Sequence, residues 1–153
     1  MEVRFVTKEL FFDSAKVLAA TDKATRKALS KFGAFVRTAA RSSIKTRKKI
    51  SAPGSPPSGH VGLLRQHILF GYDTAARSVV IGPMPLSGVE TKDALPMLEF
   101  GGHTMRVRMH TPGSARPRVR ELAPAKYQAR PFMGPALAQE LPKLPGMWAE
   151  SVT

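Results

Sequence analysis

Residues 21–45 read TDKATRKALSKFGAFVRTAARSSIK, and the fold turns on how this stretch is read. Stepped at about 100° per residue, Ala28, Leu29, Phe32, Phe35, Val36, Ala39 and Ala40 fall on one side, and Lys23, Arg26, Lys27, Lys31, Arg37, Arg41 and Lys45 on the other. The pattern predicts a long amphipathic helix with one stripe to bury and one cationic stripe. Thr21 is expected as its N-cap, and Asp22 suits the positive end of the helix dipole. Gly33, at the edge of the apolar stripe, either admits the close approach of another element or is a tolerated surface glycine. Upstream, residues 1–12 read as a strand or arm, and Asp13-Ser14 is expected to cap a separate short helix through Ala20.

Downstream, 46–60 is TRKKISAPGSPPSGH, in which Pro53, Pro56 and Pro57 forbid helix, so it reads as a mobile basic loop. Gly54 and Gly59 have phosphate-loop spacing, but His60 stands where such a loop needs Lys, and the prolines remove amide donors. Nucleotide binding is therefore rejected. A turn at Gly62–Gln66 leads into a hairpin of His67–Tyr72 and Ser78–Ile81, stopped by Gly82-Pro83, with Ile68, Phe70 and Tyr72 on one face. Residues 84–94 read as irregular, and Leu95–Phe100 as a helical turn ended by Gly101-Gly102.

His103–His110 alternates as a strand, with Met105, Val107 and Met109 on the side expected to pack and Arg106 and Arg108 on the other. Pro112, Pro117 and Pro124 make 111–126 an expected arm or long loop, followed by a short strand at Tyr127–Ala129. Pro131 suits the first turn of a last helix, whose Phe132, Met133, Leu137 and Leu141 are expected to lie on the sheet. Pro142 and Pro145 bend or end it, leaving 142–153 as a tail in which Trp148 is an anchor or an interface residue. The expected core is Leu29, Phe32, Val36, Ile68, Phe70, Val79, Ile81 and Phe132.

A chain of 153 residues fits one domain, 1–153, with 1–12, 46–60, 103–126 and 142–153 as appendages; 13 Pro and 12 Gly set much of the backbone in loops. Without Cys there is neither a disulfide nor a thiolate metal site. Met1–Leu10 lacks the apolar stretch of a secretory signal, and no run approaches a membrane span, so the chain is expected to be soluble and unexported.

The formal net charge of +13 is unevenly spread. No acid lies between Asp22 and Asp73, where Lys45, Arg47, Lys48, Lys49 and Arg65 join the cations of the helix, nor from Phe100 to Arg120, which holds Arg106, Arg108, Arg116, Arg118 and Arg120. Unopposed positive potential attracts polyanions, DNA first among them. A solvated basic surface, or one facing an acidic protein, is the alternative.

Catalytic groups are sparse. The pairs His60/His67 and His103/His110 are seven apart, an odd spacing that on a strand puts two side chains on opposite faces, and no nucleophile elbow or dense carboxylate pair is present. No enzyme, cofactor or metal is expected. Glu99, an acid among apolar neighbours, is expected to pair with an Arg. Aromatic residues are too scattered to stack bases, so any DNA would be met at its backbone.

The order of segments resembles the tail-completion, or minor tail component, proteins of tailed bacteriophages. The residues carrying the resemblance are Gly62, Leu64, Arg65 and Ile68; Ile81, Gly82 and Pro83; Glu99, Phe100 and Gly101; and Ala129, Arg130, Pro131, Phe132, Pro135, Ala136 and Leu137. They are spread through residues 21–141, with departures at Pro53–Gly59 and in the arginine-rich 106–120. The resemblance implies an α+β subunit: a long N-terminal amphipathic helix and a C-terminal helix packed on a small, mostly antiparallel sheet, with long Pro/Arg-rich loops. It further implies a structural protein of the virion neck, assembled in the host cytoplasm and forming a ring with its own copies, expected to be sixfold. Its implied partners are portal-side connector or stopper proteins, tail terminator or tail-tube proteins, and genomic DNA in the channel, with no membrane. The competing reading is a free, sequence-nonspecific nucleic-acid-binding protein.

Overall fold

The computed structural model describes residues 13–84, 94–110 and 119–151, and its framework is one helix, α1 (Ser14–Ser43). Asp13 caps it, its Oδ1 accepting from Lys16 N at 3.0 Å. The two expected helices are one. No proline or glycine interrupts 14–32, so a helix begun at Asp13 propagates through Thr21, whose hydroxyl donates to the Val17 carbonyl at 2.9 Å instead of capping a new start. The expected arm at 1–12 lies outside the described residues.

The buried row of α1 is Ala24, Ala28, Phe32, Val36 and Ala40, spaced by four, with Gly33 beside it. At the far end the Ser42 and Ser43 hydroxyls donate to the Ala39 and Ala40 carbonyls, and buried Ile44 turns the chain into an extended path. Strand β1 (Lys45–Thr46) then runs parallel to β2 (Ser58–Gly59). The loop between them is tied down, contrary to the expected mobile segment. Arg47 N donates to the Gly59 carbonyl, Gly54 N to Ala129 O at 2.8 Å, and Ser58 Oγ to Lys49 O, while Ser51 and Pro57 are buried.

Gly62, left-handed at φ +73°, starts the single-turn helix α2 (Leu63–Gln66), which delivers the fully buried Ile68 into a hairpin of β3 (Ile68–Asp73) and β4 (Ser78–Pro83). This hairpin lies on α1 at Gly33, where an added Cβ would stand 2.7 Å from Val79 Cγ2 and 3.0 Å from Phe70 Cδ2. Gly33 is thus a packing glycine. Arg37, expected on the cationic stripe, turns inward, its Nε donating to the Ile68 carbonyl at 2.8 Å.

Helix α3 (Ala94–Phe100) precedes a second antiparallel hairpin, β5 (Gly102–His110) with β6 (Val119–Tyr127). The chain expected as an arm is therefore strand from 119 onward, and no separate strand follows at 128–129. Pro124 is compatible because a two-stranded ribbon needs no donor on its outer edge. On the expected packing face, Met105 is 56% exposed among the described residues, and Leu122 of β6 is 63% exposed.

The chain ends in α4 (Met133–Glu140), a 3-10 turn (Leu141–Lys143) and α5 (Leu144–Ala149). These helices pack on α1 rather than on a sheet. Phe132 and Ala136 meet α1's buried row, whereas Leu137 and Leu141 are exposed, and Met147 anchors the segment expected as a tail. The fold is α+β as expected, but among the described residues the strands form three separate two-stranded ladders. The core joins Phe32, Val36, Ala40, Ile44, Ile68, Phe132, Ala136 and Met147, with Val79 and Ile81 against it; Leu29 is half-buried, and Phe35 and Phe70 are exposed at one side.

Gly33→Leu is expected to destabilise the protein by about 1–3 kcal/mol in urea unfolding, because overpacking here displaces the hairpin. A net gain, as helix propensity alone dictates, would show that the hairpin does not rest on Gly33.

Candidate functional site

Two regions gather the residues singled out from sequence: a junction around Glu99, and a set of exposed cations.

At the junction, Glu99 is carried on the last turn of α3 and its carboxylate closes on the start of α4. Oε2 accepts from Phe132 N at 2.9 Å and Met133 N at 3.1 Å, and Oε1 accepts from Gly134 N at 2.8 Å. The expected arginine partner is replaced by a helix N-terminus. The reason is physical: α4 has no side-chain cap of its own, and its free amides and positive dipole end match a carboxylate. With three donors engaged, this acid is a fastener.

Arg130 completes the junction. Its backbone amide donates to Leu98 O at 2.7 Å, its Nε to Ser51 O at 3.1 Å and its Nη1 to Gln128 O at 3.3 Å, binding the 46–60 loop to α3. Gly101, at φ +75°, leaves no room for a side chain, since an added Cβ would stand 2.9 Å from Ala129 N and 3.0 Å from Tyr127 O. Phe132 is buried, and Pro131 precedes it outside the helix. Phe100 alone takes no part and is 81% exposed, near the base of the hairpin whose Met105 and Leu122 are also bare.

The other motif residues do local work. Leu64 packs on the core, Arg65 is exposed on α2, and Gly82 and Pro83 stand opposite Leu69 and Ile68 in the β3–β4 register.

Among the cations, Lys45, Arg47, Lys48 and Lys49 are exposed along β1 and the turn after it. Arg106 and Arg108 lie on β5, opposite Ala123 and Glu121, and Arg120 lies on β6; Arg116 and Arg118 fall outside the described residues. The α1 stripe is partly engaged: Lys31 Nζ pairs with Glu150 at 3.2 Å, and Arg26 lies 5.8 Å over the Tyr72 ring.

Two features escaped sequence reading. Glu140 is a buried acid, held by Lys143 Nζ at 2.6 Å, and no local pattern signals that a helix's last residue faces inward. An open groove of 310 Å³ lies between α1 and the β3–β4 turn, lined by Asp22, Lys23, Arg26, Tyr72, Thr74 and Arg77, and only the tertiary fold brings these two segments together. Among the described residues no three metal-ligating side chains come together, and no helix is long and apolar enough to cross a membrane.

Glu99→Ala strands three amides and is expected to cost about 1–3 kcal/mol of stability in thermal or urea unfolding, with Glu99→Gln intermediate because an amide oxygen accepts without charge. Equal stability of all three proteins would contradict the fastener role. Compared with known proteins, the chain matches no protein-family model, no curated protein and no solved structure.

Proposed function

We propose that this chain is a structural subunit of the head-to-tail neck of a tailed bacteriophage, forming a ring with its copies that joins tail to head and surrounds the DNA channel. The observation that carries the reading is the exposed cationic run Lys45, Arg47, Lys48 and Lys49, set in a segment without acids whose backbone is tied down by Arg47 N donating to Gly59 O and Gly54 N donating to Ala129 O. A subunit beside DNA of every sequence needs contact to phosphate rather than to base edges, and a fixed row of cations supplies it. The bare apolar side chains of Phe100, Met105 and Leu122 support assembly, because exposed apolar patches on a small chain mark contact surfaces. On this reading the ring's neighbours are portal-side connector or stopper proteins and tail terminator or tail-tube proteins, in the virion and, during assembly, in the host cytoplasm.

Imaging and stoichiometry of purified particles test this directly: the protein is expected in the neck at a fixed ring number. A protein missing from particles, and binding DNA as a monomer, would support a free nucleic-acid-binding protein instead. Replacing Lys45, Arg47, Lys48 and Lys49 together with Gln is expected to lower the slope of log affinity against log salt by about 3 to 4 units for duplex DNA. An unchanged slope would remove this run from the DNA contact.

A further inference from the structure

We propose that the groove between α1 and the β3–β4 turn is a seat for a backbone phosphate of duplex DNA, placed one helical turn of DNA away from the Lys45–Lys49 run. Among the described residues, the cations Lys23, Arg26 and Arg77 line it against the one acid Asp22. Two of the cations are held in place. Arg26 rests 5.8 Å over Tyr72, and Arg77, in a left-handed backbone at φ +48°, reaches to 3.4 Å from Asp22. The turn carrying Arg77 is itself fixed, since Asp73 Oδ1 accepts from Ala75 N at 2.9 Å and Ala76 N at 3.1 Å. Preset guanidinium groups lose less freedom on meeting an anion than mobile ones do.

The shape selects among anions. The groove is open rather than enclosed, and among the described residues its one aromatic ring, Tyr72, already carries Arg26 and is not bare for stacking a base. A strand passing along its backbone fits better than a free nucleotide. Position adds the second argument. At a rise of about 1.5 Å per residue, α1 sets Lys23 about 30 Å from its own C-terminal end, and the Lys45–Lys49 run begins just beyond. One turn of duplex DNA repeats its groove pattern every 34–36 Å or so, a length that the separation of the two cationic sites along α1 matches. An acidic protein surface has no reason to carry that spacing.

The test uses the full chain and a labelled duplex of about 24 base pairs, a little over two turns, followed by anisotropy across a salt series. Lys23→Gln/Arg77→Gln is compared with Arg65→Gln/Lys126→Gln, which removes equal charge from exposed positions outside the groove, with unfolding curves confirming that both fold. The groove variant is expected to lose about 2 units of salt slope and roughly 10- to 30-fold in affinity at physiological salt. The comparison variant is expected to lose less than about threefold, the share of a screened diffuse field. Equal losses in the two variants would overturn the seat. On a duplex of about 8 base pairs, shorter than one turn, the intact protein is expected to lose the advantage that the groove provides; an undiminished advantage would overturn the spacing. Displacement of the duplex by polyglutamate at equal charge concentration would overturn the choice of DNA in favour of an acidic protein. The proposal rests on the DNA-facing part of the neck reading, and the two fail separately. Absence from particles removes the neck and leaves the duplex result standing, whereas equal losses remove the seat and leave particle content untouched.

Discussion

The contact between the Glu99 carboxylate and the amides of Phe132, Met133 and Gly134 is the constraint on which the second half of the chain depends. It sets the direction of α4, and α4 in turn brings Phe132 and Ala136 onto the buried row of α1. The adjoining bonds of Arg130 and Ala129 carry the same constraint into the 46–60 loop. A charged acceptor facing three aligned donors is stronger than a neutral pair, and it is placed where a helix without its own cap would otherwise leave those donors to water. One acid thus coordinates α3, α4 and the loop after α1.

How much of this was legible in sequence follows from which forces are local. The α1 stripe, the β3–β4 hairpin and the glycine stop after Phe100 follow from periodicity and turn chemistry, and all three are present. The boundary at Thr21 was misread because a threonine followed by an acid also occurs inside helices, where its hydroxyl returns to the preceding turn. The role of Glu99 was hidden because its partners are backbone amides of residues 132–134, which have no side-chain signature. Met105, Val107 and Met109 alternate as a packing face does, yet Met105 is more than half exposed among the described residues, and periodicity does not say whose surface covers a face. The groove depends on where the β3–β4 turn lands beside α1, which no window of sequence contains.

Charge is organised by the same framework. Arg37 and Lys31 are absorbed by the Ile68 carbonyl and by Glu150, so the cationic stripe is narrower than its composition implies. Exposed cations stand near both ends of α1, Lys23 and Arg26 of the groove towards the start and Lys45 to Lys49 after the end, with Lys27 exposed between them and Arg77 paired to Asp22. A rigid helix keeps those ends at a set separation, whereas flexible arms would let their distance vary.

The ribbon formed by β5 and β6 has a consequence for crowding. Two strands leave two unsatisfied rims, and identical copies held side by side tend to zip along such rims without limit. Pro124 sits in β6 opposite Met105, where the missing amide hydrogen must face away from the partner strand if the ladder is unbroken. That gap denies a neighbouring copy one bond of continuous pairing, steering packed molecules towards contact through side chains and away from fibre growth.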